Sequence, residues 1–256
     1  MKTIDFSRYS SIKIGPVVEV EVIDEIDAAF ERYFLVGGAN NLLVSPNPPP
    51  LAILGKKFDF IRIEDDTLIV GAATKTGRLL SFCKRHDIAG FEFLSKLPGT
   101  IGGAVKMNAG VKEYEIKNLL QWVRTHKGII PASELRLEYR KSAIDSIIYE
   151  AGFRLDRGYS EALRQQLIAL RNNQPKEPSA GSCFKNPPGD FAGRLIEAVG
   201  LKGHRIGGAA FSKVHANFLV NLGSATYEDA IALIELAKRR VFEEFGVMLQ
   251  EEIIIL

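Results

Sequence analysis

Four of the six residues in Ser45-Pro46-Asn47-Pro48-Pro49-Pro50 are proline. Proline fixes φ and carries no N–H, so this run can neither extend a helix nor donate to a central strand. It therefore marks a junction. Before it, residues 17–23 read V-V-E-V-E-V-I, the period-two alternation of a half-buried strand. Asp24 then opens a short helical stretch through Ala28, Ala29 and Phe30, and a second strand over 33–36 runs into Gly37-Gly38-Ala39-Asn40-Asn41.

Beyond the junction the texture is α+β. Short strands are expected over 68–72, 122–126 and 152–155, with a helix over 76–86 whose apolar face carries Leu79, Leu80 and Cys83. After Gly158 the period becomes helical: Leu163, Leu167 and Leu170 share a face of a segment ending near Gln174-Pro175. The last helix has Thr226 at its N-cap, Asp229 in the capping-box position and Gly246 as its stop, with Ile231, Ile234 and Val241 turned to a core. Lys238, Arg239, Arg240, Glu243 and Glu244 form its solvated face, and a terminal strand is expected over 247–256.

The charge balance excludes several function classes. Lys and Arg total 33 against 31 for Asp and Glu, so a net charge of +2 gives no broad basic field for nucleic acid or an anionic membrane. Any anionic ligand must be held by local groups. The two cysteines, Cys83 and Cys183, form neither a C-x-x-C pair nor a metal cluster, and no H-x-x-x-H pair suggests a metal. Met-Lys-Thr-Ile-Asp-Phe lacks an apolar signal region and no stretch approaches a membrane span. The expected location is the cytoplasm, and no obligate protein partner is evident.

Three segments can carry chemistry. Residues 36–44, V-G-G-A-N-N-L-L-V, and 97–104, L-P-G-T-I-G-G-A, fit neither G-x-G-x-x-G nor the P-loop pattern. Glycines beside Asn and Thr nevertheless let a backbone turn tightly and aim several N–H groups at one anion. Read singly, each is a structural turn. Two in one small protein, with Asn108-Ala109-Gly110 downstream, point to a dinucleotide. The third segment, Pro178-Ser179-Ala180-Gly181-Ser182-Cys183-Phe184-Lys185-Asn186-Pro187, combines small residues with polar Ser182, Lys185 and Asn186, as a site or as a chance loop cluster. Cys183 has no neighbouring His to serve as its base, which disfavours a thiol nucleophile. His215 is placed to line a pocket, while His86, His126 and His204 read as helix-end or surface residues. Glu252 borders the apolar Ile253-Ile254-Ile255-Leu256.

Taken in order, these segments resemble the UDP-N-acetylenolpyruvoylglucosamine reductase family. The resemblance runs from Ile12-Lys13-Ile14-Gly15 through both glycine stretches, Tyr139-Arg140-Lys141-Ser142, the 180–187 segment, Gly193-Arg194-Leu195-Ile196-Glu197, Gly207-Gly208-Ala209 and His215-Ala216-Asn217-Phe218 to residues 249–253. It implies an α+β chain with a two-subdomain FAD-binding region of the vanillyl-alcohol-oxidase (PCMH) type over 1–157, divided at about 48, and a UDP-sugar domain over 158–256. It also implies FAD and NADPH as cofactors and UDP-N-acetylglucosamine enolpyruvate as substrate.

Carried over by position, Arg140, Ser182 and Glu252 become catalytic. Gly37, Gly38, Ala39, Asn40, Asn41, Leu42, Pro98, Gly99, Thr100, Gly102, Gly103, Ala104 and Asn108 become cofactor-binding, and Lys185, Asn186 and His215 substrate-binding. Arg140 would stabilise the substrate carboxylate as charge develops, Ser182 would protonate carbon, and Glu252 would orient or stabilise the intermediate. The sequence departs from the family's usual pattern at Ala39, where glycine is common, and at Glu251, where proline is common. It also lacks the tyrosine-bearing loop of longer members. A non-catalytic nucleotide-binding module and an FAD-linked oxidase are the alternatives from other classes.

Overall fold

Strand Glu150–Arg154 is buried over four of its five residues, and its surroundings exist to cover it. A computed structural model describes all residues, Met1 to Leu256. Within it, Glu150–Arg154 is central in a five-stranded antiparallel sheet ordered Gly128–Pro131, Leu120–Thr125, Glu150–Arg154, Thr67–Gly71, Ile61–Glu64. On one face Leu68, Val70, Val123, Ala151 and Phe153 join Leu79 and Cys83 of helix Thr76–Arg85 in the larger core. The only tryptophan, Trp122, lies across the strand from Gly152, where a Cβ would sit 2.1 Å from the indole. Glycine is required here because the ring occupies the space a side chain would need.

This sheet belongs to a unit made of Met1–Lys2, Val20–Gly38 and Pro50–Asn172. The same unit holds a small parallel arrangement in which Phe34 pairs with Leu51 and Glu21 with Ala52. The strand read over 17–23 forms as Val17–Ile23. The helical stretch that follows starts later than its sequence suggests. Asp27, not Asp24, caps it, accepting from Ala29 N–H at 2.7 Å, and it is the 3-10 turn Ala28–Arg32.

A second unit comprises Thr3–Glu19, Ala39–Pro49 and Asn173–Leu256. Its antiparallel sheet runs Ser179–Ser182, Phe218–Asn221, Ala209–Phe211, Arg205–Ile206. Ala209, Phe211 and Leu219 face a core shared with Leu195, Leu233, Ile234 and Val241, while Ala210, Phe218 and Val220 cluster separately. Helix Tyr227–Phe245 is capped as its sequence requires. Thr226 Oγ accepts from Asp229 N–H at 3.1 Å, the Asp229 carboxylate accepts from Thr226 N–H at 3.1 Å, and Gly246 ends the helix with φ +66°. Asp229 also accepts from Gly208 N–H, and these backbone donors hold its carboxyl below the ordinary range.

Two sequence expectations change. Helix Glu161–Ala169, placed with the C-terminal domain by a division at 157, lies in the first unit, where Leu167 is buried in the larger core. Its apolar stripe shows a face but not which core takes it. The terminal strand over 247–256 shrinks to Ile254–Ile255, parallel to Leu42–Leu43, preceded by an isolated bridge from Glu251 to Phe184. Residues 250–255 change partner part-way along, so no one ladder runs their length. One boundary between the units falls between Pro49 and Pro50, inside the proline cluster.

Gly152→Ala is expected to reduce unfolding free energy by about 1–3 kcal/mol, the usual cost of forcing volume into a packed site. Trp122 emission should shift with it. Unchanged emission and melting would mean that the indole is not held against Gly152.

Candidate active site

Ser182 ends strand Ser179–Ser182, where the register with Phe218–Asn221 slips: Ser179 opposes Val220 but Ser182 opposes Phe218. Gly181 absorbs the slip with φ +82°. Past the bulge, Cys183 and Phe184 are both buried, so simple alternation has ended. Asn217, 3% exposed, takes over as partner. Its carbonyl accepts from Cys183 N–H at 2.7 Å, its side-chain oxygen accepts from Phe184 N–H at 3.0 Å, and its amide nitrogen donates to Phe184 O at 2.8 Å. The side chain thus reproduces the two bonds of a strand neighbour.

On the other side lies the C-terminal segment. Glu252 N–H donates to Cys183 O at 2.8 Å, and Lys185 N–H donates to Gln250 O at 2.9 Å. Glu252 is thereby fixed one carbonyl away from Ser182, although 70 positions separate them in sequence. The bridge uses the carbonyl of Gln250 and the N–H of Glu252, not the N–H of Glu251. Proline and Glu251 therefore both fit that position, and Glu251 adds an ion pair to Lys238 at 2.8 Å. Asn41 completes the clamp, its amide nitrogen donating to Glu252 O and its carbonyl accepting from Ile254 N–H, both at 2.9 Å.

Other side chains on this unit have defined tasks. Asn186, exposed, accepts from Ala192 N–H at 3.1 Å and so anchors the start of helix Ala192–Ala198. Lys185 is half-buried beside it in sequence. His215 Nδ1 accepts from Asn217 N–H at 3.2 Å, which puts the neutral ring's proton on Nε2. Burial pulls its pKa down, with the charge of Lys202 a lesser contribution. The Cys183 thiol is pushed up by burial first and then by Glu251 and Glu252, which removes it as a nucleophile.

In the first unit the glycine stretches meet. A Cβ on Gly37 would lie 2.6 Å from Thr100 Oγ, so only glycine permits that approach. Thr100 caps helix Ile101–Lys106, accepting from Gly103 N–H at 3.4 Å, while Ile101 and Gly102 N–H donate to Thr74 O and Ala72 O, each at 2.9 Å. The first two amides of this helix therefore serve the fold, which leaves fewer N–H groups to aim at an anion. Gly102 packs tightly, with Ala72 Cβ 3.0 Å from where its own Cβ would stand, whereas Gly103 is exposed. Gly99 has φ +138°, Pro98 is exposed and Ala104 is buried.

Asn108, expected to meet a cofactor, is fully buried and committed internally. It donates to Glu115 at 3.2 Å and to Glu138 O at 3.0 Å, and it accepts from Lys117 N–H at 3.0 Å. All this leaves it a bracket between loops.

Arg140 stands in a tight turn closed by Glu138 and Lys141, with φ +54°. Its guanidinium donates to Gly110 O at 3.1 Å and lies 4.9 Å from the Tyr139 ring centroid. Arg171 is the neighbour that sequence reading missed. It donates to Lys96 O at 3.0 Å, and burial together with the charge of Arg140 lowers its pKa to about 10. Two guanidiniums that repel each other suit an anion that neutralises both.

Ala39, in the second unit, has φ +49° and is 3% exposed. The family's common glycine at this place thus meets a left-handed backbone, which alanine adopts at a cost of about 1–2 kcal/mol.

Comparison with known proteins decides the family. The chain is 51% identical over 257 residues to the UDP-N-acetylenolpyruvoylglucosamine reductase of Helicobacter hepaticus, covering 99% of this chain and 98% of that one. It belongs to the UDP-N-acetylenolpyruvoylglucosamine reductase family. A Campylobacter jejuni protein of the same name is 48% identical over 258 residues, with 99% of each chain covered. The family's C-terminal-domain model matches residues 174–256. The crystal structure of UDP-N-acetylenolpyruvylglucosamine reductase from Thermus caldophilus superposes with a TM-score of 0.86 at 33% identity, covering 99% of this chain and 98% of that one. The chain is accordingly an enzyme, an oxidoreductase with the mixed α and β fold of that reductase family.

Asn217→Ala should cost about 1–3 kcal/mol for each of the Phe184 backbone groups it orphans. Denaturant unfolding tests this, and a loss under 1 kcal/mol would mean that water replaces the amide. His215 should titrate below 6.5 by NMR. Because the folded pKa is the lower, its contribution to stability is present above the ordinary value and is lost as pH falls through the lowered one. A titration at or above the ordinary value would contradict the buried neutral ring.

Proposed function

We propose that the protein catalyses NADPH-dependent, FAD-mediated reduction of UDP-N-acetylglucosamine enolpyruvate to UDP-N-acetylmuramate, a cytoplasmic step in making peptidoglycan precursors. The observation that carries this reading is the fixing of Ser182 and Glu252 on adjacent backbone by the Cys183 carbonyl, in a chain whose close relatives bear the reductase name. A non-catalytic binding module would not need Arg140, Ser182 and Glu252 together, and this chain has all three.

The meeting of Gly37 with Thr100 supports a dinucleotide, since both stretches then present tight backbone at one place in the first unit. Residues 37–42 and 98–104 would hold FAD, arranged as in PCMH-type flavoproteins, with the first unit as the main flavin-binding body. Residues 173–256 would carry the UDP-sugar. Bound FAD supplies the hydride relay between NADPH and the enolpyruvyl group.

The remaining chemistry falls to side chains. As hydride reaches the terminal carbon, negative charge moves toward the substrate carboxylate, where Arg140, backed by Arg171, stabilises it. Loss of one such preorganised donor raises a barrier by about 3–4 kcal/mol. Ser182 Oγ delivers its proton to the adjacent carbon. A hydroxyl is a weak acid, so it depends on the charge of Lys185 and on exclusion of water. Glu252 orients or stabilises the enolate-like species. Lys185, Asn186 and His215 would bind the UDP-sugar, His215 through its Nε2–H.

Ser182→Ala is expected to leave reduction by NADPH intact and to slow reoxidation by the enolpyruvyl substrate by about 10²–10⁴-fold, the usual worth of general acid catalysis. Stopped-flow absorbance separates the two half-reactions. Wild-type reoxidation in the variant would remove Ser182 as the proton donor.

A further inference from the structure

The pattern of the last helix puts Lys238 on its solvated face with Arg239 and Arg240, but the structure separates them. Arg239 and Arg240 are exposed, whereas Lys238 is half-buried on the flank of the core residues Ile234 and Val241. Positions three and four apart share a helix face, so Lys238 is turned toward the body of the second unit. Its ammonium pairs with Glu251 at 2.8 Å and with Glu235 of its own helix at 3.1 Å. At side-chain exposures of 33% and 30%, the Lys238–Glu251 pair is screened less than a fully exposed one. Its bonds to Glu251 and then Glu235 raise the Lys238 pKa. Burial pushes the Glu251 carboxyl up, but the bond to Lys238 outweighs this and holds it low.

This pair joins the last helix to the residue beside Glu252. Backbone bonds to Cys183 and Lys185, with the Asn41 clamp, fix how far residues 250–254 stand from their neighbours. They fix the roll of the segment less well, because its contact with Phe184 is one isolated bridge and the chain bends at 252–253. Packing is thin at this point too: Lys238, Phe242, Met248 and Leu249 line a cavity of about 110 Å³. In extended chain, successive side chains point to opposite faces. Tying Glu251 to the helix therefore sets the face on which Glu252 emerges.

We propose that Lys238 is a positioning residue for the reduction, orienting the Glu252 carboxylate through its ion pair with Glu251. This rests on the assignment of Glu252 to the enolate-like species. Lys238 takes no part in the chemistry and acts only through its neighbour.

The test compares the FAD-loaded protein with Lys238→Met, Lys238→Arg, Glu251→Pro and the double variant Lys238→Met with Glu251→Pro, by stopped-flow absorbance. Lys238→Met keeps an apolar stem on the helix flank and removes the charge. It is expected to lower the limiting rate of reoxidation by the enolpyruvyl substrate about two- to fivefold, the scale of one partly exposed ion pair. The half-saturating substrate concentration and the rate of reduction by NADPH should not change. Lys238→Arg should keep the parental rate. Proline at 251 stiffens the backbone and sacrifices an N–H that no backbone bond uses, so Lys238→Met should cost nothing further in that background. A parental rate in Lys238→Met, or the same loss with and without Glu251, would overturn the proposal. Equal slowing of both half-reactions would do so as well, since it marks a general loss of structure. Glu252→Ala that reoxidises at the parental rate would remove the assignment of Glu252, and this proposal with it.

Discussion

Residues 183–185 are held from two sides, by Asn217 and by residues 250–252, and the order of the second unit's site depends on that clamp. Buried backbone groups cannot be left to water, so each of these bonds must form when the chain folds. Their formation fixes Ser182 and Glu252 at once. As the proposed proton donor, Ser182 must be unable to drift, because misplacement by about 1 Å can cost 10²-fold in rate. The bulge at Gly181 serves the same end by ending the regular ladder just before Ser182. Bulges commonly occur beside active sites for this reason.

The glycine stretches divide their labour more finely than a phosphate cradle implies. Gly37 permits close approach to Thr100, and Gly102 lets helix Ile101–Lys106 pack on Ala72. Asn108 braces three loops from a buried position. Most of these residues build the scaffold that shapes a ligand surface, and fewer are left to touch a ligand directly.

Local chemistry was legible in the sequence where it is local in space. The alternation at 17–23 and the Thr226, Asp229 and Gly246 signals depend on neighbours a few residues away, and each appears as read. Partner choice was not legible. The stripe of Leu163 and Leu167 gave a helix but not its core, and the apolar end of the chain gave a strand but not its switch from Phe184 to Leu42. Asn217 stands within the His215-Ala216-Asn217-Phe218 motif, yet its task is hidden there, because an amide that imitates a strand neighbour leaves no periodic trace. Arg171 is one polar residue in a run of polar residues, and only folding brings it near Arg140.

The most direct measurement is the visible absorbance of the purified protein under anaerobic conditions, with NADPH added first and UDP-N-acetylglucosamine enolpyruvate second. A flavin spectrum that bleaches with NADPH and returns on addition of the enolpyruvyl substrate is the expected result. A protein that stays colourless after incubation with FAD, or a bleached flavin that the substrate fails to restore, would contradict the assigned reaction.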